Sequence, residues 1–589
     1  MHSIPAPAGH ALRGFRGGFE TDGSRRCGRN KETGMSAVLD GPGFSPGSGT
    51  GWLDKERTIA APGFNRWLVP PAALAIHLCI GMAYGFSVFW LPLSKAVGLT
   101  AAQTCPKDMS LLTELFTTSC DWRISSLGWM YTLFFVLLGS SAALWGGWLE
   151  HAGPRKAGVV SALCWCGGLL ISAFGVYTHQ LWLLWLGSGI IGGIGLGLGY
   201  ISPVSTLIKW FPDRRGMATG MAIMGFGGGA MIGSPLAAEL MKTFASTTSI
   251  GVIQTFLLMA AGYFVFMMGG ALGYRIPPSG WKPAGWKPPP ATANAMITQH
   301  HVHVKKVWGI PQFWLVWMVL CMNVSAGIGV IGMASPMLQE VFGGNLIGVA
   351  KKFGELDKAQ LASIAVVAAG FTALLSLFNI GGRFVWASAS DKFGRKMTYV
   401  VFFVLGGLLY ASIPASAAAG SKLLFVAACC IILSMYGGGF ATVPAYLADL
   451  FGTQMVGAIH GRLLTAWATA GIIGPVVVNY MREYQIGLGL PREQVYNQTM
   501  YILVGMLAIG LVCNLMIRPL ANKWFMTPEE LADERRIAHD RAAANDVGNG
   551  PGSGGASPTA IVVLAWAAVG IPLAWGVYRT LLSVLKFFN

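Results

Sequence analysis

Charge is what this chain of 589 residues has least of: Asp, Glu, Lys and Arg make up 11% of it, against about 25% in soluble domains. That shortage excludes an ordinary water-soluble fold. No Cys/His spacing fits a metal site, and no nucleophile–base pair presents itself, so an enzyme is not expected, and neither is a cofactor or a metal. No apolar h-region opens the chain, which argues against a secretory signal peptide. No Lys/Arg stretch alternates with aromatics, so the net charge of +16 is not read as a nucleic-acid surface.

What is present is apolar length. Hydrophobic residues make up 53% of the chain, and several runs exceed the roughly 18 residues that cross a bilayer. The pattern predicts twelve spans near 67–93, 127–148, 157–178, 181–207, 217–241, 252–275, 308–336, 361–389, 397–417, 421–445, 463–481 and 498–518, with a thirteenth near 559–578. With the N-terminus placed inside, 28 of the 41 Lys and Arg fall in cytoplasmic segments, ten in outer loops, two around the last span, and one, Arg383, within a span. That is the positive-inside bias of a bacterial inner membrane protein. Cys105 and Cys120 share the first outer loop, where an oxidising exterior permits pairing, and their spacing leaves it open whether they pair.

Six segments follow. Residues 1–62 are rich in Gly, Arg and Pro and are expected to be a disordered cytoplasmic N-terminus, with Met35 as an alternative start. Residues 63–275 form a first six-helix half, 276–307 a cytoplasmic linker, 308–520 a second six-helix half, 521–557 another cytoplasmic linker and 558–589 an extra transmembrane helix. The linker's His300, His301 and His303 are read as solvated residues in preference to a metal or pH site. The fold class is therefore an all-α membrane protein, expected as a monomer.

An internal repeat organises the body. Glu150, Gly153, Arg155 and Lys156 follow the second span; Asp391, Gly394, Arg395 and Lys396 follow the eighth. Glu150 and Asp391 are 241 residues apart, as are Pro203 and Pro444. Two six-span halves related in this way resemble the major facilitator arrangement. In that fold the acid–Gly–basic loops lock the halves at the cytoplasmic face and do not bind substrate.

Arg383 is the candidate site. A guanidinium in the bilayer costs roughly 2.5 kcal/mol or more on insertion scales, so it is expected to face a watery cavity and meet an anion. It lies eight residues before Asp391, roughly 12 Å inside the cytoplasmic surface at 1.5 Å per residue. Asn379, one turn earlier, shares its face. The position 241 residues earlier is Ala142, so the first half has no matching cation. One fixed positive charge suits a monoanion; a dicarboxylate would keep an unmatched charge in a poorly hydrated cavity.

Asn379 to Arg383 leading into Ser390 to Arg395, Tyr200 to Pro203 with Trp210 to Gly216, and Gly461 to Trp467 resemble the oxalate/formate antiporter family of major facilitators, over about 67–520. The extra helix resembles a small subunit of such transporters, here fused. The resemblance implies a secondary transporter working by alternating access. Oxalate exchangers of the family carry a Lys in the eleventh span where this chain has Trp467. That departure favours the family's proton-linked bacterial carriers of lactate- or pyruvate-like monocarboxylates over an oxalate/formate exchanger. A carboxylate sensor built on a transporter fold is a further alternative. The same resemblance makes Arg383 and Asn379 carboxylate contacts and Tyr436, Phe440, Tyr200, Trp467 and Tyr84 cavity residues. His77, near the middle of the first span, is a candidate proton carrier. Gly189 to Gly199 and Gly225 to Gly229 lie inside spans and are read as close helix packing, not nucleotide loops.

Overall fold

A computed structural model of the protein describes residues 52–98, 103–106, 108–211, 215–278, 281–283, 285, 296–298, 300–452, 454–533, 536 and 558–588. The body consists of α1 (Arg66–Leu93), α2 (Ile124–Ala152), α3 (Pro154–Tyr177), α4 (181–210), α5 (Arg215–Phe244) and α6 (Val252–Gly273), then α7 (Pro311–Gly332), α8 (Lys358–Phe393), α9 (Arg395–Ala418), α10 (Lys422–Phe451), α11 (Thr465–Gly487) and α12 (Asn497–Met516). A last helix, α13, runs from Thr559 to Phe588. Twelve of the described helices are long and apolar enough to cross a membrane: eleven of the body and α13. With the 30-residue α5 the architecture is the expected all-helical one of twelve plus one.

The two halves repeat each other in their packing. α1 lies against α5 as α7 lies against α11; α3 pairs with α6 as α9 pairs with α12; α2 meets α4 as α8 meets α10. The halves then join along two seams, α2 on α11 and α5 on α8, which the repeat exchanges. The 241-residue offset has a backbone counterpart. Gly153 and Gly394, each between two helices, have φ of +84° and +83°, a region that favours glycine. Pro203 and Pro444 both lie inside helices, α4 and α10.

Small residues bring the helices together. A Cβ on Gly382 of α8 would run into the backbone of Ser434 on α10; one on Gly437 of α10 would strike Asn379; one on Gly229 of α5 would strike Gly81 of α1. Without a hydrophobic drive between helices in lipid, this close approach supplies the van der Waals contact that holds them. The Gly225–Gly229 run thus serves helix packing, as expected.

Cys105 and Cys120 form a disulfide between α1 and α2, at the opposite end of α2 from the Gly153 turn. Two expectations are corrected. Structure begins earlier than residue 63: Lys55–Thr58 is a 3-10 turn, Thr58 is buried and Ile59 bridges to Ile276, so the end of the presumed tail is docked. Residues 1–51 lie outside the described ones. Arg383 also has company: Arg482, which the charge pattern assigns to an outer loop, lies in α11 and is buried. It pairs with Glu340 of the short helix Ala334–Phe342, whose carboxylate also accepts from Arg492 at 3.1 Å and from the Tyr496 hydroxyl at 2.6 Å. Helix length outran the apolar window because the paired charges neutralise each other.

Candidate functional site

Arg383 is 2% exposed, on the face of α8 that the close α8–α10 and α5–α8 approaches turn inward. Its Nε donates to Asn379 Oδ1 at 3.2 Å, one helical turn away. Its guanidinium stands 5.6 Å from the ring centre of Phe440 on α10. On the α5 side it faces Gly227, where a Cβ would come within 3.0 Å of Nε. The backbone of that same Gly227 accepts a hydrogen bond from Ser376 of α8, so α5 and α8 are pinned together beside the charge.

An aromatic wall surrounds it, drawn from both halves. Tyr84 of α1 and Tyr436 of α10 share a 2.7 Å hydroxyl hydrogen bond across the halves. Tyr436 packs on Phe440 at 5.3 Å, Phe440 on Trp467 of α11 at 4.5 Å, and Trp467 on Tyr200 of α4 at 5.2 Å between ring centres. Tyr84, Tyr200 and Tyr436 all lie within electrostatic reach of Arg383. Rings in edge-on and offset contact hold one another in place without needing polar partners.

Several polar atoms around the site are left over, among them the Tyr131 hydroxyl and three donors. Arg383 Nη1, Asn379 Nδ2 and Trp467 Nε1 are buried and have no hydrogen-bond partner. All three are donors. Buried donors without partners are rare in folded proteins, and each costs about 1–3 kcal/mol. Donors of this kind are complemented by acceptor oxygens and, beside a guanidinium, by negative charge. The fully partnered Arg482–Glu340 pair shows the contrast: the same side chain, equally buried, with an acid beside it.

His77 of α1 is fully buried, stacked at 5.6 Å on the Tyr200 ring, with Nε2 3.2 Å from the Tyr200 carbonyl oxygen. A carbonyl oxygen only accepts, so Nε2 carries a proton. The loop residues lie apart from this centre. Arg155 donates to the Trp52 carbonyl at 3.0 Å; Arg395 bonds Ser390 and sits 3.5 Å from Asp449. Gly153 and Gly394 make the turns; the side chains of Glu150 and Asp391 lie outside the described ones.

All seven residues expected at the cavity, Arg383, Asn379, Tyr436, Phe440, Tyr200, Trp467 and Tyr84, converge here. Two were missed. Phe226 of α5 contacts Tyr84, Tyr200 and Trp467 at 5.0, 5.5 and 5.6 Å, and Phe135 of α2 contacts Tyr84 and Trp467 at 5.9 and 5.8 Å. Phe226 had a usable signal, a lone aromatic inside a glycine run; Phe135, in an apolar stretch, had none.

The Major Facilitator Superfamily profile matches residues 109–475. The chain is similar to the oxalate:formate antiporter of Oxalobacter formigenes, at 25% identity over 416 residues, 70% of this chain and 83% of that protein. It is also similar to apicoplast pyruvate carrier 1 of Toxoplasma gondii, at 24% over 454 residues, 66% of this chain and 78% of that protein. Among solved structures, an inward-facing, unoccupied bacterial homologue of the human lysosomal transporter Spinster matches 78% of this chain and 98% of its own, with a TM-score of 0.52 at 16% identity.

Proposed function

The chain belongs to the Major Facilitator Superfamily, and from that premise we propose that this transporter carries a small monocarboxylate of the lactate or pyruvate kind, coupled to a proton. The observation that carries the reading is a buried guanidinium with no acidic partner among the described residues, and unpartnered donors on Arg383, Asn379 and Trp467 inside a ring of aromatics. Arg383 supplies the charge and a planar fork that fits a carboxylate. Asn379 orients that fork and offers a second donor. Trp467 Nε1 reaches from the facing wall, and the rings take the short apolar remainder of the acid.

The architecture supports alternating access. Tyr84–Tyr436 crosses from half to half at the site, while Trp90–Gly332, Ser125–Glu483 and Trp129–Tyr480 hydrogen bonds, each 2.8 Å, join the halves at the disulfide end. Rocking of one half against the other exchanges such sets of contacts around a fixed site. An anion between α8 and the first half lowers the cost of carrying a bare guanidinium through that exchange, and a co-transported proton leaves the loaded carrier with no extra negative charge. His77 is the proton candidate from its place beside Tyr200. The Glu150, Gly153, Arg155 and Asp391, Gly394, Arg395 loops are proposed as the opposite, cytoplasmic latch. Disulfide chemistry at one end and basic residues at the other support an inner-membrane topology with the N-terminus in the cytoplasm.

A second reading, exchange of oxalate for formate, draws on the similarity to the Oxalobacter antiporter. The site's one cation and Trp467 weigh against a dianion. Uptake of labelled lactate and labelled oxalate into proteoliposomes under an inward proton gradient separates the two. Gradient-driven lactate uptake, lost in Arg383→Ala, is the expected result. Oxalate uptake that depends on internal formate would replace the reading with exchange, and flux of neither acid would overturn both.

A further inference from the structure

The helix α13 breaks the symmetry of the molecule. The repeat makes the α2–α11 and α5–α8 seams equivalent, yet α13 packs on α1, α5 and α8, along the second of them. Its contacts run in register with the first half. Trp566 Nε1 donates to the Trp67 carbonyl at the start of α1, 3.0 Å away. Val569 joins Leu74, Ala75, Leu78 and Met224 in a small separate core. Gly576 lies on the α5 backbone, its would-be Cβ 3.2 Å from the Met231 carbonyl oxygen and 3.0 Å from Ile232 Cγ1. Arg579 lies 3.8 Å from Glu239 near the end of α5. This order makes α13 parallel to α1 and α5, so it begins at the end where α1 begins.

The register also fixes its height. Met224 and Met231 of α5, which meet α13 at Val569 and Gly576, bracket Gly227, the residue against Arg383. At that level α5 presents Gly227 to Arg383. α13 therefore backs the seam at the height of the charge. Its named hydrogen bond, ion pair and small core go to α1 and α5 of the first half, while α8 of the second half packs along it more extensively than either of those helices taken singly.

We infer that α13 is a resident accessory helix, fixed to the first half, which supports the α5–α8 seam behind Arg383 and speeds the exchange of the halves. The inference rests on the transporter reading. As the second half rocks, α8 slides past a surface that α13 keeps dry and closed, so that α5 and α8 separate without admitting lipid to the guanidinium.

The test uses the full chain in proteoliposomes. Gly576→Leu drives a side chain into α5 and lifts α13 from its bed. The expected result is a maximal uptake rate lowered about threefold or more, with half-saturation within twofold of wild type, since the site's donors are untouched. Gly576→Ala should fall between. An Ile232→Cys/Gly576→Cys pair, within disulfide reach, ties α13 to α5; cross-linked carrier should keep at least half its rate, because the two already move together. Cross-linking that stops uptake, or Gly576→Leu that transports as wild type or faster, overturns the inference while leaving the transporter reading standing. Should Gly576→Leu fail to fold, the cross-linked pair alone decides. Absence of any carboxylate uptake by wild type overturns the transporter reading and this inference with it.

Discussion

Arg383 donates its Nε to Asn379 Oδ1 and keeps Nη1 free, while Asn379 keeps Nδ2 free. The pair is thus held by one hydrogen bond and presents two donors. A carboxylate in place of the amide would change its charge from one to zero. Asn379→Asp is expected to lower uptake throughout pH 5.5 to 7.5. An acid beside Arg is held ionised, so the internal ion pair competes with the substrate over that whole range. Loss of a charged hydrogen bond is worth about 1.5–3 kcal/mol, or roughly 10- to 150-fold in affinity. The measurement is labelled-lactate uptake across that pH range; an Asn379→Asp variant that transports as wild type would remove Asn379 from the site.

Placement of that pair depends on how near α8 comes to α10. Gly382 has the backbone of Ser434 where a Cβ would go, whereas Gly381, its neighbour, has nothing within 4 Å. Backbone does not move aside as a side chain does. Gly382→Ala is expected to destabilise by about 1–3 kcal/mol through overpacking and to lose most uptake by shifting Arg383. Gly381→Ala should be neutral or slightly stabilising, by up to about 1 kcal/mol in a helix. Thermal melts and uptake of the two variants side by side check this, and equal behaviour would rule out close packing as the positioning device.

Much of this was legible in the chain. Hydropathy located the helices, and the 241-residue offset located both the Gly153 and Gly394 turns and the two-fold repeat of packing. Arg383 with Asn379 could be read because an uncompensated charge in an apolar run has few explanations. The Glu340–Arg482 pair could not be read: its members are 142 residues apart, and charges near span ends look solvated until the fold buries them. The seat of α13 was equally hidden, since an apolar helix carries no mark of which seam it covers.

Glu340 and Arg482 form a lock within the second half. Burial alone would raise the Glu340 carboxyl, but Arg482 and Arg492 beside it hold it below the usual carboxylate range. A depressed folded-state value means that this group adds stability above its unfolded value, near 4.3, and that the contribution fades as pH falls through the folded one. Glu340→Gln leaves Arg482 buried without its counter-charge, which typically costs about 3–5 kcal/mol. Melting of wild type and variant from pH 7 to pH 3.5 should show a lower midpoint for the variant at neutral pH and a smaller acid-induced drop. A variant as acid-sensitive as wild type would show that Glu340 does not contribute.

Trp467 decides what the second wall of the cavity says to an anion. Its indole Nε1 is a buried, neutral donor without a partner, and its ring is wedged against Phe440 at 4.5 Å. Arg383 can neutralise one carboxylate; the far end of a dianion would meet this ring. Trp467→Lys places an ammonium on the facing helix and opens the space the indole filled. Two fixed positive charges suit a dicarboxylate and leave a monoanion with an unmatched cation, at a cost that a poorly hydrated cavity magnifies. The preference between lactate and oxalate is therefore expected to fall at least tenfold, and to invert if the new ammonium stays charged. Trp467→Leu controls for the lost volume: it should weaken both acids without changing their ratio. Competition of each acid against labelled lactate gives the ratio directly. An unchanged ratio in Trp467→Lys would mean that substrate charge is read by Arg383 alone.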